Sequence, residues 1–178
     1  MQNSETQNSP ENSKYKSLRD SLFNGSVTLG EVLDMLLKWD QSSGTRDASD
    51  DNLKFLLEPE IIEYVDTHPD FREEYHNLLS LTEFHVAQRM VSNNPAEAIK
   101  HFRKSLESAK FDQSDESWSA YVEATIMYME GKEIPEELTA KAEQSKNAPI
   151  LRNFNLGIKE RGSPSYMDDY GNRRRIIK

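Results

Sequence analysis

The chain has 178 residues, 35% hydrophobic and 30% charged, which suits one globular domain or a short helical repeat array. Its net charge of −9 disfavours a nucleic-acid-binding surface over most of the molecule, and the absence of cysteine excludes disulfides, thiolate metal sites and a cysteine nucleophile. No apolar run reaches membrane-spanning length, and "MQNSETQNSPENS" lacks the basic and apolar regions of a secretory signal, so a cytoplasmic protein is expected.

Residues 1–13 have almost nothing to bury and are expected to form a disordered tail. Ser13 is placed to cap a short helix ending near Asn24, with Gly25 just past its end. Thr28 and Glu31 form a T-x-x-E capping box, and Leu29, Val32, Leu33, Leu36 and Trp39 follow at helical spacing. The polar stretch "DQSSGTRDASDD" reads as a solvated linker before the short helical run "NLKFLL". Pro59 opens "PEIIEYVDTH" and Pro69 opens a longer helical stretch, since proline is tolerated at a first helical position.

Asn94 with Glu97 makes a second cap, and Ile99, Phe102, Leu106 and Ala109 are the predicted buried stripe of the helix from Pro95. Ser114 caps the next helix, whose face carries Trp118, Tyr121, Val122, Thr125 and Met129 and which stops at Gly131. Pro135 opens "PEELTAKAEQSK", and Pro149 opens "PILRNFNLGIKER", which stops at Gly162. No segment alternates with the period of two that a strand requires, so the fold class is all-α.

The helices pair. First-helix starts near Asp115 and Pro149 are 34 residues apart, and second-helix starts Pro95 and Pro135 are 40 apart. "AEAIKHFRKSLESA" resembles the second helix of a tetratricopeptide repeat, with Ala98 as the small residue of close approach and Phe102 as the large one. "NFNLG", Asn153 to Gly157, resembles the first-helix signature, and Trp118 to Val122 resembles another first helix. The likeness covers residues 78–170; it departs from the family pattern in the four residues between Gly157 and Gly162 and in the short, polar "PEELTAKAEQSK". It implies antiparallel helix pairs stacked as a short right-handed superhelix, the alternative being an irregular helical bundle. The expected division is a tail at 1–13, an N-terminal helical segment at 14–68, the repeat region at 69–165 and a basic tail at 166–178.

Catalytic chemistry has little to stand on. His68, His76, His85 and His101 form no ligand pair at helical spacing, so they read as surface histidines. Asp40, Ser42 and Asp51 fall on three oxygen-ligand positions of a calcium loop, but Gly44 misses the sharp-turn position and Asp51 replaces the bidentate glutamate. "YMDD", Tyr166 to Asp169, is a polymerase-like tetrapeptide without the sheet that such a site needs. Glu58, Glu60 and Glu63 read as a solvated helix face. No metal, cofactor or catalytic residue is expected.

The expected role is a non-catalytic protein-protein interaction module, an adaptor or scaffold that binds a peptide or partner in a helical-repeat groove. The family resemblance puts Asn155 at a groove position, with Asn153 and Lys159 as its neighbours. From Arg152 onward seven Lys and Arg face three Asp and Glu, a balance of +4, against −13 for the residues before it. That split leaves two alternatives open: an acidic inhibitor or antidote of a basic partner protein, and nucleic-acid or ribosome association through Arg173, Arg174, Arg175 and Lys178. A homo-oligomer is compatible with either.

Overall fold

A computed structural model of the chain describes residues 10–42, 48–111, 116–143 and 147–171, and all regular structure in them is helical. The helices are α1 (Pro10–Phe23), α2 (Leu29–Ser42), α3 (Ser49–Leu56), α4 (Pro59–Thr67), α5 (Arg72–Met90), α6 (Pro95–Ala109), α7 (Glu116–Met129), α8 (Glu136–Ala142), α9 (Ala148–Arg161) and α10 (Tyr166–Gly171). A single 3₁₀ turn, Pro69–Phe71, leads into α5. No helix among the described residues is long and apolar enough to cross a membrane.

Local chemistry accounts for the helix ends. The Thr28 amide and hydroxyl both donate to the Glu31 carboxylate, and the Glu31 amide returns to Thr28 Oγ1. That exchange satisfies donors at the start of α2 that no helical carbonyl can reach. At α6 the Asn94 side chain accepts from the Glu97 amide. Gly25 and Gly131 take φ of 77° and 72°, and the next amide reaches back five residues in each case, Ser26 to Ser21 and Lys132 to Met127. This left-handed exit suits glycine because a Cβ would be strained there.

Several expectations are corrected. α1 starts at Pro10, so Ser13 lies inside the helix and residues 10–13 are not tail. Residues 166–171 are helical too, with Tyr166 and Asp169 buried, so the division at 166 falls where α10 begins to pack. In α6 the fully buried positions are Ala98, Phe102, Ser105 and Ala109, while Ile99 and Leu106 sit at the margin. The shift follows from α6 packing on both α5 and α7, where small residues mark the closest approach. Ser114 lies outside the described residues.

Two apolar clusters make the core. One joins α1–α4 to α5 through Leu22, Leu36, Phe55, Ile61, Tyr75 and Leu78. The other joins α5 to the later helices through Phe84, Ala87, Phe102, Tyr121, Tyr128 and Phe154. α5 is therefore the shared wall, and the expected division at 68/69 runs just ahead of the helix that ties both clusters together. Each fully buried large side chain in these clusters contributes roughly 1.5–3 kcal/mol.

α5 also takes polar groups inside. Asp40, at 0% exposure, accepts from Ser49 Oγ and meets Nδ1 of His85, so it points into the core and away from any calcium loop. Glu83, 2% exposed, pairs with Nδ1 of His101. The surface reading of the histidines thus fails for His85, which is buried, and for His101, which is held by a buried carboxyl group. Ser80 exchanges hydrogen bonds with Ser105 and accepts from the Trp118 indole at 2.8 Å. Burying such groups is tolerated because each is paired.

Close approach also fixes α10. Asp169 of α10 accepts from the Tyr128 hydroxyl and from Arg161. Burial and that bond both hold the Tyr128 phenol in its protonated form, well above the usual tyrosine range. A Cβ on Gly157 would run into the Asp169 carboxylate and stand 2.6 Å from Arg161 Nη2. Gly157→Ala must displace the Asp169 carboxylate and the Arg161 guanidinium, which breaks the bonds that tie α10 to Tyr128 and α9, and is expected to cost about 1–3 kcal/mol; equilibrium urea unfolding measures it, and an unchanged midpoint would refute the packing argument.

His76 stacks on Phe111 with centroids 3.6 Å apart and planes 5° from parallel, and its Nδ1 is buried without a hydrogen-bond partner. Burial, helped by the neighbouring Arg72, holds its pKa below the ordinary 6.5, while Asp66 opposes the shift. The unfolded chain then binds a proton at higher pH than the folded chain. This contribution to stability is complete above the unfolded value and falls away as pH drops below it. His76→Phe keeps the stack and should flatten the loss of urea stability between about pH 7 and pH 5. An identical loss in both proteins would show that His76 plays no part.

Candidate functional site

The residues proposed for a groove on α9 do not share one exposed face. Asn153 is 3% exposed. The Asn155 side-chain amide is spent within the chain: its Oδ1 accepts from the Ile134 amide at 3.1 Å and its Nδ2 donates to the Ile134 carbonyl at 3.3 Å. That pair satisfies the extended backbone between α7 and α8, a structural task that the repeat likeness did not reveal. Lys159 is exposed, with Nζ 3.6 Å from Glu133. Arg173, Arg174, Arg175 and Lys178 lie outside the described residues, as does Gly44 of the calcium-loop reading. The outer ligand candidates of that reading are also engaged: Asp51 accepts from Lys54, and Ser42 Oγ donates to the Trp39 carbonyl.

Among the described residues, a concavity with an apolar floor lies elsewhere, between α2 and α5. Its floor is Leu33 and Leu37 of α2 with Leu78 and Leu81 of α5, and its rim carries Asp34, Glu74 and Asn77. On α2 the lining residues are one turn apart, and on α5 they fall at 74, 77, 78 and 81, a single helix face. Leu33 and Leu78 are buried, while Leu37 and Leu81 stay half-exposed. The cleft holds about 220 Å³.

Buried chemistry sets the spacing of these walls. Asp40, near the end of α2, is tied to His85, 45 residues on in α5. Leu33 and Leu37 come before Asp40 just as Leu78 and Leu81 come before His85, so α2 and α5 run parallel past the cleft. The helices are tied at the Asp40 end, and Leu37 and Leu81, the half-exposed leucines of the cleft, lie about one turn before that tie. Electrostatically the rim is acidic: Asp34 holds its own Lys38 at 2.5 Å, and Glu74 is exposed in the acidic first turn of α5. Such a site can hold two or so apolar side chains and favour positive charge beside them. It presents no nucleophile, and among the described residues no group of three or more His, Asp or Glu is placed to hold a metal ion.

Sequence reasoning marked Leu33 only as core and gave no role to Leu37, Leu78 or Leu81. The signal was present in part, because Leu37 adds an apolar position beside the main α2 stripe. Which helix would face it is a long-range fact. No protein-family model, no curated protein and no solved structure matches the chain.

Asn155→Ala leaves the buried amide and carbonyl of Ile134 without their partner and is expected to lower stability by about 1–3 kcal/mol. Urea unfolding tests this; a change of only a few tenths of a kcal/mol would mean the side chain is dispensable to the fold and free for another role.

Proposed function

We propose that the chain is a non-catalytic protein-protein interaction module that docks an amphipathic helix of a partner protein in the cleft between α2 and α5. The observation that carries this reading is the acid-rimmed leucine floor: four leucines from two helices, two of them half-exposed, between Asp34 and Glu74. Apolar side chains at helical spacing suit the floor. Lysine or arginine flanking them suits the rim and the −13 balance of the residues before Arg152.

The scaffold reading draws on helix order. α6 is antiparallel to α5, with Ser80 beside Ser105 and Glu83 beside His101. α7 then returns parallel to α5, with Trp118 beside Ser80, 38 residues on. α7 packs on α8, and α9 on α10. Three successive helix pairs, whose first helices start at Arg72, Glu116 and Ala148, support a tetratricopeptide-like stack, with α1–α4 packed on its first helix. In that reading α2 covers part of the first-helix face and leaves the cleft as the accessible groove.

The competing reading, an acidic inhibitor that covers a basic partner by charge alone, differs in what it needs. It requires the carboxylates but not the leucines. Selection from a displayed library of helical peptides decides between them. Winners should carry Leu, Met or Phe at three- and four-residue spacing beside Lys or Arg. Leu81→Asp should then weaken a selected peptide about tenfold or more, equivalent to ~1.4 kcal/mol. Winners that are basic without an apolar stripe, or affinity that Leu81→Asp leaves untouched, would remove the cleft from consideration.

A further inference from the structure

We propose that a second surface depression, between the end of α1 and the outer face of α4, is a recognition site for an arginine side chain of a partner protein. It is separate from the α2/α5 cleft and does not depend on that assignment. Phe23, the last residue of α1, is 46% exposed and meets Tyr64 of α4 edge to face, with centroids 5.6 Å apart and planes at 80°. Tyr64 is braced from behind by His68, stacked at 4.1 Å and 8°. The His68 ring is itself held through Nδ1 at 2.8 Å from the Tyr64 carbonyl. The two aromatic walls are thus set by packing before any ligand arrives.

Carboxylates complete the depression. Glu60 and Glu63 lie on the same α4 face as Tyr64 and Thr67, and together with Phe23 they enclose an open volume of about 440 Å³. The stretch 57–66 holds Glu58, Glu60, Glu63 and Asp66 and no lysine or arginine. The patch already takes one guanidinium from its own chain. Arg19, one turn before Phe23, places Nη1 3.3 Å from Glu58 and 3.9 Å from Glu60. Glu63, beyond the reach of Arg19, has no cation at ion-pair distance among the described residues.

Arginine fits this combination better than lysine. A guanidinium is planar, stacks on an aromatic face and can meet a carboxylate through two N–H groups at once. An ammonium has neither the plane nor the fork. Phe23 offers the face, Glu63 the uncompensated carboxylate, and Thr67 closes the far side of the depression.

The test is an NMR titration of the full chain with N-acetyl-arginine amide. The Phe23 and Tyr64 ring resonances should shift and saturate, while the uncharged isostere N-acetyl-citrulline amide should leave them in place. Glu63→Gln should weaken the arginine response about threefold to fivefold, the effect of losing one exposed ion pair. Phe23→Leu keeps apolar bulk but removes the ring, and should weaken it by a similar factor, roughly threefold. Both positions are exposed, so the variants fold, and their melting temperatures confirm it. Equal shifts with the citrulline amide, equal affinity for N-acetyl-lysine amide, or an arginine affinity indifferent to Glu63→Gln would each overturn the proposal.

Discussion

Helix α5 carries Ser80, Thr82, Glu83 and His85 into the core, and the rest of the molecule is arranged so that each finds a partner. Thr82 is satisfied within the helix by the Leu78 carbonyl. The other three draw on other helices: α2 through Asp40, itself held by Ser49 of α3, α6 through Ser105 and His101, and α7 through Trp118. Leaving one member of a buried ionisable pair alone typically costs about 3–5 kcal/mol, a large share of the stability of a domain this size. Pairing therefore sets the register of α5 against its neighbours more sharply than apolar contact could, because leucines slide past one another at little cost and hydrogen bonds do not.

The same constraint shapes the surface. α2 is tied to α5 at Asp40 and His85, and about one turn earlier Leu37 and Leu81 stay half-exposed beside the cleft. At the other end of the chain a polar contact, Asp169 with Tyr128 and Arg161, draws α10 down on α9, and Gly157 permits the approach. Tyr75 adds a further tie: its hydroxyl donates to the Leu56 carbonyl at 2.7 Å, and burial, with Asp66 nearby, pushes its pKa up to about 12. Among the described residues the surface carries an acid-rimmed leucine cleft and an aromatic depression flanked by glutamates. Both lie in the acidic part of the chain, where the field favours positive charge most strongly at low ionic strength.

Much of the helical layout was legible in the chain. The Thr28–Glu31 box, the Asn94 cap, the prolines near helix starts and the glycines at 25, 131 and 162 act within a few residues, and the structure uses each of them. The candidate site was barely legible. Asn155 looked like a groove residue because its neighbours match a repeat pattern, yet its amide is committed to Ile134. His85 looked exposed because its partner is 45 residues away in a stretch that reads as a linker. α5 itself lacks a clear apolar stripe, since a helix buried on several sides with paired polar groups has no single dry face to display.

The sequence by itself determined that the protein is helical and where most of its helices begin and end, because capping, glycine exits and apolar periodicity are decided by neighbours one turn apart. Only the tertiary structure decided which polar residues are core and which are surface. Asp40 and Glu63 are both helical carboxylates, and nothing within a turn of either tells that one is sealed against Ser49 and His85 while the other faces solvent beside Tyr64. Burial and pairing are properties of the packed whole, set by whichever distant helix supplies the partner.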